Sequence, residues 1–154
     1  MIVTFFGHAD FKESSICEEE FMLTLREYTK GESVDFYFGG YGGFDDFSYK
    51  CCCEFKKQCG KSSSAKLIFV TPYITESYQK NHLSQKRAEF DEIIYPAIEN
   101  VPLRYAISAR NKWMAEEADL IFCYVNHSWG GAYCASKYAR AKGKRIINFG
   151  KLVF

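Results

Sequence analysis

The sequence predicts one doubly wound α/β domain, spanning residues 1–154, around a mainly parallel sheet of about five strands. Short β-branched and aromatic runs alternate with longer helical stretches, which is typical of parallel strands joined by crossover helices. The length suits one domain, and no linker or internal repeat interrupts the alternation. A composition of 47% hydrophobic and 25% charged residues belongs to a globular chain that can bury a core.

Five runs predict the strands, over residues 2–6, 34–38, 66–71, 120–125 and 145–149. The first run is β-branched and aromatic and stops at Gly7, the second stops at Gly39, and Pro72 stops the third. The fourth is almost entirely apolar, which indicates a strand buried on both faces.

Helices are predicted between the strands, over residues 11–30, 44–59, 84–92, 105–117 and 130–141. Gly31, Gly60 and Gly143 are placed to end three of them. The segment 73–102 is the hardest to assign, because only its residues 84–92 show a helical pattern and two prolines interrupt its last seven residues.

The charge balance argues against a protein held on DNA by bulk positive charge. Lys and Arg number 20 and Asp and Glu 19, a formal net charge of +1, so we do not expect nucleic acid as a partner. A basic set near the C-terminus is interpreted as a solvated helix face, although it could contact nucleic acid; it comprises Lys137, Arg140, Lys142, Lys144 and Arg145.

Three expectations rest on features that the sequence lacks: the location of the protein, the absence of a metal and the absence of a cofactor. No apolar run approaches the ~18 residues that a membrane span needs, and no signal-peptide pattern opens the chain. We therefore expect a cytoplasmic protein whose seven cysteines are reduced thiols. Three consecutive cysteines on a helix, 51–53, point three ways and cannot share one ion, so no metal and no cofactor is expected.

Ligands of such folds sit at the carboxyl ends of the strands, so the residues directly after each strand are the candidate site. Glycine pairs that open helices let the backbone approach a phosphate, which the helix N-terminus then attracts. No P-loop lysine comes after these glycines, and the first strand lacks G-x-G-x-x-G. The candidate ligand residues are Gly7, His8, Gly39, Gly40, Tyr41, Gly42, Gly43, Asp45, Arg110, Asn126, Trp129, Gly130 and Gly131.

Several of these side chains have structural alternatives. Arg110 could bind phosphate or carboxylate, or form a solvated ion pair with Glu116 or Glu117. His8 could contact the ligand or be a satisfied turn histidine. Asp45 could read a sugar hydroxyl, or simply favour the first turn of its helix. Tyr41 and Trp129 could each stack on a base or cover the edge of the sheet.

The order of these motifs resembles the SLOG superfamily, which groups the DNA-processing Smf (DprA) proteins with the LONELY GUY phosphoribohydrolases. The matching segments are Val3–His8, Phe38–Asp45, Arg110-Asn111-x-x-Met114 before Ala118-Asp119, and Gly130–Ala132. The opening segment is similar to small bacterial or phage members of unassigned role. The resemblance implies a Rossmann-like domain that binds nucleotides or nucleotide-derived ligands, with phosphate over the glycine turns.

One departure bears on activity. Where the phosphoribohydrolases carry a catalytic Glu in G-T-x-x-E, this chain has Ala135. We therefore favour binding of a nucleotide-type small molecule, such as a signalling nucleotide, over catalysis. Two alternatives stay open: hydrolysis of a nucleoside monophosphate, with Asp45 or Asp46 as a substitute carboxylate, and a DNA-associated Smf-like module. A homo-oligomer also stays open.

Overall fold

The computed structural model describes residues 1–61 and 63–154 and contains a six-stranded sheet. The strands are β1 Ile2–Gly7, β2 Val34–Phe38, β3 Ala65–Val70, β4 Glu92–Ile94, β5 Leu120–Tyr124 and β6 Arg145–Asn148. Their order is β4-β3-β2-β1-β5-β6, and each neighbouring pair is parallel. The predicted doubly wound α/β fold is confirmed.

Helices connect the strands on both faces of the sheet. They are α1 Glu18–Thr29, α2 Gly43–Gln58, α3 Glu76–Tyr78, α4 Ser84–Glu89, α5 Ala106–Glu117 and α6 Gly131–Ala141. One π-helical turn, Gln79–Leu83, joins α3 to α4, and short 3-10 turns occur at Glu13–Ser15 and Leu103–Tyr105.

Alternation along β1 divides the core into two layers, because successive side chains of a strand point to opposite faces. Phe5 lies in the layer beneath α1 and α2, and Phe6 in the layer beneath α5 and α6. The first layer is strongly aromatic: Phe5 stacks on Phe38 at 4.9 Å between ring centroids, and Phe21 meets Phe122 edge-on. Much of the 18% aromatic content therefore fills the core.

The sixth strand, β4, was not predicted. The helix expected over 84–92 ends at Glu89, because Phe90 is extended and the carboxylate of Asp91 accepts a 2.8 Å hydrogen bond from the Leu67 amide of β3. That contact aligns the next three residues with β3. A three-residue edge strand with one exposed glutamate carries too weak a hydrophobic pattern to be found in a sequence.

The sheet reverses its winding beside β1. The chain passes from β1 to β2 on one side and later places β5 on the other, so the loops after these strands diverge and leave a cleft between them. Across the described ranges, no helix combines the length and apolar character needed to cross a bilayer. A cytoplasmic location stays a prediction.

Two helix-opening glycines provide a matched test of packing. A Cβ on Gly43 would lie 2.4 Å from the carbonyl oxygen of Phe11, whereas a Cβ on Gly131 would meet no atom within 4 Å. We expect Gly43→Ala to lower the free energy of unfolding by about 1–3 kcal/mol, and Gly131→Ala to change it by less than about 0.5 kcal/mol. Urea unfolding of both variants checks this, and equal costs would contradict the packing described.

Candidate functional site

A cleft of about 920 Å³ opens at the carboxyl edge of the sheet. Its walls are the loops after β1, β2, β3 and β5, together with one face of the α3–α4 segment, one face of α5 and the first turn of α6. All of the predicted ligand residues except three border it; the exceptions are Gly42, Gly43 and Asn126. Whether those residues bind a ligand stays a prediction.

The glycine turn after β2 is shaped by contacts within the protein. Gly40 has φ of +74°, and a Cβ there would lie 2.5 Å from the ring of Phe69. The Gly40 amide donates a 2.8 Å hydrogen bond to Asp45 Oδ2, and the Gly43 amide donates to the Ala9 carbonyl. These two donors are already used, so a phosphate over this turn would have to find other partners.

Close approach explains another glycine of the prediction. A Cβ on Gly7 would lie 2.3 Å from the side chain of Phe44, which begins the buried face of α2. Gly7 therefore lets α2 pack onto the end of β1. Gly7 has no side chain that could contact a ligand, so it serves the cleft only by leaving room.

Asp45 lies at the floor of the cleft and is 8% exposed. Burial raises its pKa to about 7, although the hydrogen bond from the Gly40 amide and the positive charge of Arg110 both oppose that shift. The carboxyl group therefore exchanges its proton near neutral pH. Asp45 is therefore not simply a solvated carboxylate that favours the first turn of α2.

Arg110 also lies at the floor and is 3% exposed, so it is not the solvated surface arginine of the alternative interpretation. Its Nη1 donates to the carbonyl oxygens of Gly39 at 3.0 Å and Val70 at 2.7 Å, and its Nε donates to Asn111 Oδ1. Burial lowers its pKa, and the carboxyl of Asp45 partly restores it. The guanidinium thus ties β2 to β3 at the base of the cleft.

Three rings form a stack after β5. His8 stacks on His127 at 3.7 Å between centroids, and His127 stacks on Trp129 at 3.5 Å. His8 Nε2 accepts a 3.0 Å hydrogen bond from the Asn126 amide, and burial together with His127 lowers the pKa of His8. His8 is therefore a neutral turn histidine that supports the stack, while Trp129 is 67% exposed at its outer end.

The N-terminus of α6 adjoins this stack. Gly130 has φ of +92°, and the first intrahelical hydrogen bond runs from the Cys134 amide to the Gly130 carbonyl. The amides of residues 131–133 have no partner within the helix, and the first turn contains no acidic residue. By contrast, the first turn of α2 holds Asp45 and Asp46. The α6 terminus is thus the more favourable of the two for an anion.

Asn126, although predicted as a ligand residue, has its side-chain oxygen engaged elsewhere. Asn126 Oδ1 accepts a 2.8 Å hydrogen bond from the Lys151 amide, and Asn148 binds Val125 and Gly150 in the same region. These contacts hold the C-terminal segment against the loop that carries Trp129.

One wall of the cleft escaped the sequence prediction. The α3–α4 segment contributes Tyr78, His82 and Lys86, and Lys86 Nζ lies 5.2 Å from the ring centroid of Phe69. These three residues are spaced four apart, which places them on one helix face. That spacing was the available signal, but the predicted helix began at residue 84 and so left Tyr78 and His82 outside it.

Two further sequence hypotheses concern catalysis and metal. Ala135, which stands where the phosphoribohydrolases carry Glu, is 4% exposed and packs in the second core layer. In residues 1–61 and 63–154, no group of three His, Cys, Asp or Glu side chains is arranged to hold an ion. Burial raises the pKa of the Cys51 thiol to about 12, so it is a poor nucleophile.

Comparison with known proteins finds matches in structure. No family model matches the chain, and no curated protein does. DNA processing protein A from Helicobacter pylori, described by its single-stranded DNA binding mode, matches with a TM-score of 0.61 and 16% identity over 96% of this chain and 64% of that one. DNA processing protein A from Streptococcus pneumoniae matches with a TM-score of 0.63 and 13% identity over 95% and 49%.

These neighbours support the Rossmann-like fold that the resemblance implied, and at such identities they show the fold alone. The chain spans less than two thirds of either neighbour. Membership of a small bacterial or phage group stays a prediction, as does a homo-oligomer.

The expectation that nucleic acid is not a partner is contradicted by the Helicobacter pylori neighbour, which is described by its binding of single-stranded DNA. That expectation rested on a net charge of +1. Net charge averages over the whole surface, whereas single strands are also held by exposed rings and by local donors such as helix N-termini. The charge balance was therefore the wrong criterion.

Proposed function

We propose that the cleft binds single-stranded nucleic acid, with a base stacked on Trp129 and a phosphate at the N-terminus of α6. The observation that carries this proposal is the exposed indole of Trp129, backed by two histidine rings and followed in the chain by the amides of residues 131–133, which have no partner within α6. A large aromatic ring held in the open contributes nothing to the core. It is well suited to stacking on a nucleobase.

The ring stack fixes Trp129 before a ligand arrives. The hydrogen bond from the Asn126 amide holds His8, and the pairing of His127 Nδ1 with the Trp129 carbonyl oxygen at 3.0 Å holds the loop. Binding therefore loses little side-chain entropy at this ring. Tyr41, which is 80% exposed across the cleft, offers a second stacking surface. The fold shared with a protein described by single-stranded DNA binding supports the same proposal.

A free nucleotide is the second candidate ligand. The cleft volume of about 920 Å³ lies within the range of small-molecule sites, and two buried ionisable groups, Asp45 and Arg110, lie at its floor. These groups would hold the base of a single nucleotide, while the N-terminus of α6 would take its phosphate. A competition experiment distinguishes the two candidate ligands. If a mononucleotide displaces a bound oligonucleotide at a concentration similar to that of the oligonucleotide, the free nucleotide is the favoured ligand.

Trp129→Ala is expected to weaken binding of an oligonucleotide of about 12 nucleotides by about 5- to 150-fold, since stacking on one aromatic ring contributes about 1–3 kcal/mol. Fluorescence anisotropy with a labelled oligothymidine, at about 50 mM salt, measures this. Leu23→Ala is the control, because Leu23 is 56% exposed on α1, outside the cleft.

Trp129→Phe keeps an aromatic ring, so it should retain much of the affinity that Trp129→Ala loses. Equal affinity of wild-type protein and Trp129→Ala would remove Trp129 from the site. Failure of the wild-type protein to bind oligothymidine, oligodeoxycytidine or oligodeoxyadenosine at low salt would end the nucleic-acid proposal and leave the mononucleotide to be tested.

A further inference from the structure

We propose that Asp45 and Arg110, here called the floor pair, bind the hydrogen-bonding edge of one nucleobase of the bound strand. This inference rests on the proposed function and adds a base preference to it. The floor pair lies above β2 and β3, whereas Trp129 comes after β5. β2 and β5 are two strand spacings apart, about 10 Å, so the two places suit different nucleotides of one strand.

Each member of the floor pair keeps one polar atom for a ligand. Asp45 uses Oδ2 to accept from the Gly40 amide, and Arg110 uses Nη1 and Nε within the protein. Within the described chain, the buried side-chain atoms that lack a hydrogen-bond partner are the hydroxyls of Ser48 and Ser136. Asp45 Oδ1 and Arg110 Nη2 form no hydrogen bond either, but they are not among these buried atoms. They are therefore accessible from the cleft that both residues line.

The two free atoms offer one acceptor and one donor in the same cleft. The residues are close enough for each charge to favour the charged form of the other, yet they do not form a direct ion pair. A group that offers a donor next to an acceptor can fit between them. A phosphate fits poorly, because it offers acceptors only and the Asp45 carboxylate repels it.

The walls above the floor pair favour a flat, aromatic ligand. They include the rings of Phe69, Tyr73 and Tyr78 and the apolar side chains of Ile107 and Met114. Apolar walls with a few convergent polar groups are the usual surroundings of a bound base. A sugar would satisfy the polar atoms but would leave the aromatic walls without a matching face.

One free acceptor and one free donor together favour bases that carry an amino group next to a ring nitrogen. The amino groups of cytosine and adenine donate to a carboxylate, and an adjacent ring nitrogen accepts from an arginine. Thymine offers an imide N–H between two carbonyl oxygens, one of which would face the Asp45 carboxylate. We therefore expect oligodeoxycytidine and oligodeoxyadenosine to bind more tightly than oligothymidine.

The test compares these three oligonucleotides, each of about 12 nucleotides, by fluorescence anisotropy with wild-type protein and Asp45→Asn. Wild-type protein should prefer the amino-bearing bases by about 5- to 150-fold, the discrimination of one good base contact. In Asp45→Asn the amide oxygen can still accept from Gly40, which turns its NH₂ toward the cleft as a donor. The preference should then shrink or reverse toward thymidine. Asp46→Asn, an exposed neighbour, should keep the wild-type preference.

Equal affinity of wild-type protein for all three oligonucleotides, or a preference unchanged by Asp45→Asn, would overturn the floor pair and leave the Trp129 site standing. Loss of affinity for all three on Trp129→Ala, with the base preference still set by residue 45, would support both proposals together. Failure of every oligonucleotide to bind wild-type protein would overturn both.

Discussion

Asp45→Asn is expected to stabilise the protein at pH 8 by about 3–5 kcal/mol. In the unfolded chain the carboxyl loses its proton near the ordinary pKa of 3.8, whereas burial raises the pKa to about 7 in the folded protein. Between these values the folded state holds the extra proton, so the wild-type free energy of unfolding falls as the pH rises and levels off above about pH 7. Each pKa unit corresponds to about 1.4 kcal/mol, and asparagine cannot ionise.

Urea unfolding at pH 4, 6 and 8 measures this effect. The difference between Asp45→Asn and wild-type protein should be smallest at pH 4 and grow until about pH 7. A thermal midpoint raised by roughly 6 °C or more at pH 8 is the corresponding expectation for a chain of this size. Asp46→Asn, at an exposed neighbouring position, should follow the wild-type pH dependence. A difference that is the same at all three pH values would show that the pKa of Asp45 is equal in the folded and unfolded protein.

Arg110→Met is expected to destabilise the protein by about 3–5 kcal/mol at pH 8, because it removes one partner of a buried charged network. The carbonyl oxygens of Gly39 and Val70 would lose their donor, and Asp45 would lose its compensating charge. Methionine keeps the unbranched apolar stem up to the position of Nε, so the change removes chiefly the guanidinium and its polar contacts.

A double-mutant cycle separates the two causes. At pH 8, Arg110→Met should cost less in the Asp45→Asn protein than in the wild type, because the charge that needs compensation is gone. Urea unfolding of the four proteins gives the coupling energy. A cost below about 1 kcal/mol, or an identical cost in both backgrounds, would contradict the described floor of the cleft.

The fold was predictable because it rests on local signals. The central strands β1, β2, β3 and β5 are apolar runs that end at glycine, proline or a polar loop, and each was placed within about two residues. β4 and the helical residues before Ser84 were not found, because a short edge strand and a helix interrupted by a π-turn weaken both periodicities.

The candidate site was predictable in position but not in the partners of its groups. The glycine turns and Arg110 pointed to the carboxyl edge of the sheet, where the cleft lies. The turn after β2 resembled a phosphate site in the sequence. In the structure, however, the Gly40 amide donates its hydrogen bond to Asp45, five residues further along the chain. His8, which supports Trp129 through the ring stack, is held by the amide of Asn126, 118 positions along the chain. No spacing rule in a sequence reveals such a contact.

Photo-crosslinking with a single-stranded oligonucleotide that carries 5-bromodeoxyuridine, combined with peptide mapping, tests the location of the site most directly. We predict crosslinks on the peptides that contain Trp129 and Tyr41, at the carboxyl edge of the sheet, and their loss on competition with unlabelled strand. Crosslinks confined to the basic end of α6, around Arg140 to Arg145 at the opposite edge of the sheet, would contradict binding in the cleft.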